Sequence, residues 1–316
     1  MERGIPARSV MAKVRGTMIE RPTMKRHLPL LLLALTAAAP PTKLTPTDAI
    51  SAAPASAWRT IPAEDLLVMT LDGGARVVIQ LAPAFAPVHV ANIRRFAGAD
   101  YWQGAAVYRV QDNYVAQWGI NEAKRALSAG AVAHPPAEYV RSARGLVLTP
   151  LGSPDPYALR VGFSRGWPVA LYKDGSASLT HCYGTVGVGR DLHPDTGTGG
   201  ELYAAIGHGP RQLDRNIAIV GRVISGIEHL SALPRGSEAM GFYKEGSVAK
   251  AITGITLASA MPAAKRPSFQ YLDTASPSFA RYLAIKKNRH DDFYRVAAGG
   301  ADLCNVPVPV RPTPGS

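Results

Sequence analysis

The chain has 316 residues, 47% hydrophobic and 18% charged, enough for one large or two small domains with a real core, while Gly 30 and Pro 26 argue against a mainly helical protein. The net charge of +12 invites a nucleic-acid partner, but the excess sits near the two ends, in residues such as Arg3, Arg8, Arg15, Lys286, Lys287 and Arg289. No arginine-rich face interleaved with aromatics lies between them, so nucleic acid is set aside as a partner.

Residues 1–23 fit no targeting layout and are read as an upstream extension, with translation starting at Met24. "MKRHLPLLLLALTAAAP" then has cationic residues, an apolar run too short to cross a bilayer, and the small residues Ala37, Ala38 and Ala39. Residues 24–39 therefore read as a secretory signal peptide, which predicts a periplasmic or secreted protein with no stable membrane insertion after cleavage. Residues 40–62, rich in Pro, Ala, Ser and Thr, read as a linker.

Periodicity begins with "LLVMTL" (66–71) and "ARVVIQL" (75–81), two runs joined by Gly73-Gly74 and read as a hairpin. Residues 82–100 follow with Val88, Ile93 and Phe96 near helical spacing, and with Pro83 and Pro87 at the front, where a helix tolerates them. "AAVYRVQ" and "YVAQWGI" are two further strands about a turn at Asp112-Asn113. Residues 120–180 carry many turn signals and read as a long insertion with a few strands, among them "GLVLTP" and "PVALYK". Regular strands return in "YGTVGVGRD", "GGELYAAIG", "IAIVGRVISG" and "AITGITLAS". Beyond Met261 a C-terminal extension contains one amphipathic helix within 276–297 and ends in an extended, mobile tail. Short strands with few helices predict a mainly β fold, a closed antiparallel barrel capped by short helices.

Neither CxxC nor HExxH occurs and the 8 histidines are scattered, so no metal is expected. "GTVGVG" lacks the lysine and spacing of a phosphate-binding loop, and no G-x-S-x-G elbow supports a hydrolase; no cofactor is expected either. Cys182 and Cys304 are the only cysteines, and whether they pair is open at this level.

The order and spacing of "VVIQLAPAFAPVHVANIRRFA", "YWQGAAVYRVQDNYVAQWG" and "LDRNIAIVGRVISGIEHL" resemble cyclophilin-type peptidyl-prolyl isomerases. The resemblance covers roughly 65–119 and 183–259, and implies an eight-stranded barrel over residues 63–260, with the insertion at 120–180 and the extension at 261–316 outside the pattern. It implies a monomer that acts on proline-containing polypeptides. Alone, an arginine on an alternating strand reads as a solvent-face charge. Within this pattern Arg109 matches the family's catalytic arginine, a fixed donor aimed at the prolyl imide nitrogen. By the same resemblance Gln117 binds the substrate backbone and orients Arg109. Tyr114, Val115, Tyr203 and Leu213 line the proline pocket, and Gly189 lies where the peptide passes.

Several residues depart from the family. Glu201 stands where a Ser-Gln-Phe-Phe motif supplies Gln, here as "GELY", and its carboxylate is a candidate partner of Arg109 or Arg190. Ile217 replaces a common His, Gln212 holds a position where some members carry Trp, and "GVGRD" replaces a Met-Ala-Asn segment. The first expectation is thus a secreted prolyl isomerase; the alternative is a cyclophilin-fold module that binds proline segments with little turnover.

Overall fold

A computed structural model of the chain describes residues 43–120, 125–208 and 210–315, so the readings of 1–23 and 24–39 lie outside the described residues. Helix α1 (Pro46–Ser51) and strand β1 (Trp58–Thr60) stand where a linker is expected. The Thr45 hydroxyl accepts from the Asp48 amide while the Asp48 carboxylate accepts from the Thr45 amide, a reciprocal cap that starts α1. Pro46 occupies the first turn, where no amide hydrogen is required. "TPTD" therefore encodes a helix start, which its polar, proline-rich composition conceals.

β2 (Leu66–Leu71) and β3 (Arg76–Leu81) form the expected hairpin, with Gly73 and Gly74 both at positive φ. Helix α2 (Pro87–Gly98) buries His89, Val90, Asn92, Ile93 and Phe96, so Val90 rather than Val88 leads its apolar stripe. Its first amides, those of Val88 and His89, donate to the Glu138 carboxylate, which the insertion supplies. β4 (Ala106–Val110) and β5 (Val115–Gly119) pair about the Asp112-Asn113 turn. The insertion holds β6 (Arg141–Ser142), β7 (Thr149–Pro150), β8 (Arg160–Ser164), β9 (Trp167–Leu171) and β10 (Ser176–Leu179). β11 (Thr185–Val188), β12 (Leu202–Ala205), β13 (Ile219–Ser225), α3 (Glu228–Ser231) and β14 (Lys250–Leu257) follow. The extension contributes β15 (Phe269–Leu272), α4 (Pro277–Lys287) and β16 (Val310–Pro312).

The expected barrel closes in the order β11-β12-β5-β4-β14-β2-β3-β13, with every neighbouring pair antiparallel. Leu67, Met69, Leu71, Val77, Ile79 and Leu81 fill its interior together with Val90, Ile93 and Phe96 of α2. The other face of the hairpin is covered too: Leu66, Val68 and Val78 pack with Ile61 and Ala258, against Phe269 and Tyr271. Burial on both faces explains why "LLVMTL" is nearly continuously apolar rather than alternating.

The insertion forms a five-stranded sheet, β6-β10-β9-β8-β7, and its Trp167, Val169 and Leu179 pack against Ile219 of the barrel. A second core joins Trp58 from the N-terminal segment, Val161 and Phe163 from the insertion, and Phe279, Tyr282, Leu283 and Leu303 from the extension. β16 pairs with β15, placing Pro312 opposite Phe269, so the end of the chain expected to be mobile is a sheet edge instead. Cys182 and Cys304, 122 residues apart, are joined by a disulfide that ties the extension to the entrance of β11. Among the described residues no helix is long and apolar enough to cross a membrane.

Candidate active site

A β-bulge builds the centre of the site. The register of β4 against β5 shifts between Val107 and Arg109, so Val107 and Val110 both enter the barrel core. Tyr108 and Arg109, the two residues between them, both reach a groove of about 900 Å3 on the outside of the barrel. Strict alternation cannot place two neighbouring side chains on one surface; the extra residue of the bulge does.

Arg109 is held along its whole fork. Nε donates to the Met240 carbonyl at 2.8 Å, Nη1 to Gln117 Oε1 at 3.0 Å and Nη2 to Gln111 Oε1 at 2.5 Å. These bonds use three of the five N–H groups of a guanidinium and leave one on each terminal nitrogen. The charge lies 5.7 Å from the Tyr114 ring centroid and 5.3 Å from that of Phe242. Burial lowers the Arg109 pKa from the usual guanidinium value, with the neighbouring tyrosines opposing the shift.

From Arg109 a chain of hydrogen bonds runs through Gln117 to Glu201. Gln117 Nε2 donates to the Tyr108 hydroxyl at 2.6 Å, and that hydroxyl donates to Glu201 Oε2 at 2.6 Å. Glu201 thus pairs with neither Arg109 nor Arg190, the partners its charge alone suggests. Arg190 donates to the backbone oxygens of Asn216 and Asp191 instead. Because a carboxylate only accepts, Glu201 turns the Tyr108 proton toward itself, and Gln117 in turn presents its oxygen to Arg109.

All eight residues expected at the site border this one groove: Arg109, Tyr114, Val115, Gln117, Gly189, Glu201, Tyr203 and Leu213. Gly189 donates its amide to the Glu201 carbonyl at 2.8 Å. A Cβ on it would stand 3.1 Å from both Gln117 Nε2 and Glu201 Cβ, so a larger residue would press on the hydrogen-bond chain. A family model described as "Cyclophilin type peptidyl-prolyl cis-trans isomerase/CLD" matches residues 66–253.

The chain is a cyclophilin. As a member of that family it is a peptidyl-prolyl cis-trans isomerase. Among solved structures it is similar to the cyclophilin AquaCyp293 from Hirschia baltica, at 24% identity and a TM-score of 0.64, covering 81% of this chain and 93% of that one. That coverage exceeds the 66–253 span, so the shared fold reaches beyond the barrel strands. A cyclophilin-type isomerase from Cryptosporidium parvum matches at 12% identity and a TM-score of 0.38, over 61% of this chain and 98% of that one. No curated protein matches by sequence.

Some groups around the groove of this cyclophilin carry no sequence signal. Met240 acts through its backbone carbonyl, and Phe242 reaches Arg109 through an isolated bridge formed by a loop remote in sequence. His181 lies behind the groove, where no strand pattern marks it. Tyr108 carries no charge or spacing signal for its bond to Glu201.

Glu201 gives the site a pH dependence. Burial raises its pKa first, Asp191 adds to this, and the bonds from Tyr108 and Gln117 work in the opposite direction. The anion is the stronger acceptor for Tyr108 and is present only above the raised pKa. Activity is therefore expected to fall several-fold as pH drops through the raised glutamate pKa. A kcat/KM–pH profile measures this, and Glu201→Gln flattens that limb. A limb that persists in the variant would assign the titration to another group.

Proposed function

We propose that this cyclophilin accelerates X–Pro isomerisation in extracytoplasmic polypeptides by hydrogen bonding from Arg109 to the prolyl imide nitrogen. The observation that carries the reading is the held fork of Arg109, with two N–H groups left over on the groove that Tyr114, Val115, Tyr203 and Leu213 line. The uncatalysed bond turns over in tens to hundreds of seconds because conjugation gives it partial double-bond character. As the bond twists, the nitrogen lone pair leaves conjugation and becomes an acceptor. A donor already fixed in place then stabilises the twisted state more than the planar one, without reorganising. Gln117 aligns the donor, the aromatic pocket holds the proline ring, and a passing peptide backbone takes the space above Gly189. No cofactor or covalent intermediate enters, and the substrate is a proline-containing polypeptide bound by a monomer.

Two features support an extracytoplasmic site of action: the signal-like run at 24–39 and the Cys182–Cys304 disulfide, which persists in oxidising compartments. Glu201 and Ile217, at positions where the family pattern has Gln and His, favour the second reading of a peptide-binding module with slow turnover.

A protease-coupled or NMR-exchange assay on an Ala-Pro peptide separates the two. Acceleration over the uncatalysed rate is expected. Peptide binding without acceleration would leave only the binding module.

A further inference from the structure

Behind the proline pocket lies a row of buried polar side chains that the isomerase reading does not use. His181 is 0% exposed. Its Nδ1 lies 2.8 Å from Asp214 Oδ1 and its Nε2 2.8 Å from the Tyr203 hydroxyl. Asp214 also accepts from the His181 backbone amide at 2.9 Å and from Arg211 Nε at 2.6 Å. Arg211 then reaches both oxygens of Asp155 in the insertion, at 2.9 and 3.0 Å.

We infer that His181 and Asp214 are positioning residues of the proline-binding groove: they fix the Tyr203 hydroxyl, and through it the floor of the proline pocket. This rests on the site proposed above. A carboxylate accepts only, so Asp214 accepts from the proton on His181 Nδ1, and Nε2 is left to hydrogen-bond the Tyr203 hydroxyl. The two rings stack at 6.2 Å and 14°, which sets the tilt of Tyr203 as well as its position. On the opposite strand Gly187 leaves room for the hydroxyl and nothing more, since a Cβ there would lie 2.3 Å from it. The hydroxyl is thus directed into the protein, while the ring faces the groove.

The same row holds the pocket wall. Leu213 sits in the short turn between Arg211 and Asp214, so the bonds that anchor those two charges also anchor Leu213. Asp155 makes the insertion, which lies outside the family's motif pattern, a support of the pocket. Buried carboxylates and guanidiniums are costly to unpair, so the row locks as a unit.

The test is a double-mutant cycle on kcat/KM and on the Kd of the same Ala-Pro peptide, with thermal melts recorded alongside. His181→Leu and Tyr203→Phe both remove the His181–Tyr203 bond, the former together with the bond to Asp214, and each is expected to lower kcat/KM by about five- to tenfold. The double variant is expected to lose no more than the worse single one, because the bond can be lost only once. His181→Gln, which keeps a polar group behind the pocket, should restore part of the loss, and it carries the test if His181→Leu fails to fold. Multiplicative losses in the double variant, or His181→Leu at the wild-type rate, would overturn the inference. A wild type that binds but does not accelerate defeats only the enzyme reading, because the cycle is then read on Kd. A wild type that neither binds nor accelerates defeats both.

Discussion

On the proposed mechanism Arg109→Ala is expected to lower kcat/KM on an Ala-Pro peptide by about a hundred- to a thousandfold, the usual cost of removing one preorganised donor, ~3–4 kcal/mol. The loss falls mainly on kcat, since the imide nitrogen accepts only as it twists, while the pocket that binds the proline ring is untouched. Arg109→Lys does not rescue it. An ammonium is a point charge and cannot engage Met240, Gln111 and Gln117 at once while keeping donors for the substrate. Progress curves for wild type, Arg109→Ala and Arg109→Lys at several peptide concentrations give the split. Equal rates in wild type and Arg109→Ala would remove Arg109 from the mechanism.

Cys304→Ser costs about 2–5 kcal/mol of stability. The disulfide closes a segment of 122 residues, and an unfolded chain loses much conformational freedom when so long a loop is tied. It also joins the extension, whose Leu303 and Phe279 fill the second core, to the entrance of β11 at the barrel. Cys304 is the better position to change, because Cys182 adjoins His181 and altering it would disturb the pocket support. Guanidinium titrations of wild type and variant, each with and without reductant, make the comparison. The variant is expected to unfold at lower denaturant, and reductant should shift wild type alone. Coincident curves would mean that noncovalent packing already holds the extension in place.

The barrel was legible because its signals are local. The Gly73-Gly74 turn, Pro87 at the front of a helix and Asn113 in a tight turn each fix a boundary within a few residues. The second core was not legible. Its Trp58, Phe163 and Phe279 come from three separated stretches, and even the helical period that carries Phe279 says nothing of the partners it packs against. The bulge at Tyr108 was hidden for a related reason: one added residue changes the facing of a strand without changing its composition. The charge of Glu201 suggested an ion pair, yet the bulge brings Tyr108 to it and leaves Arg109 to Gln117, Gln111 and Met240.

The amino-acid sequence by itself determined most of the barrel strands, because strand period and turn chemistry are properties of neighbouring residues, and its resemblance to the family pointed to eight residues that lie among those bordering the groove. Only the tertiary structure decided which of these residues bond to one another, that Cys182 meets Cys304, and that His181, Asp214, Arg211 and Asp155 stand in one buried row. The longest of those contacts join residues tens to more than a hundred positions apart. They depend on how closed sheets stack, and no local pattern records that distance.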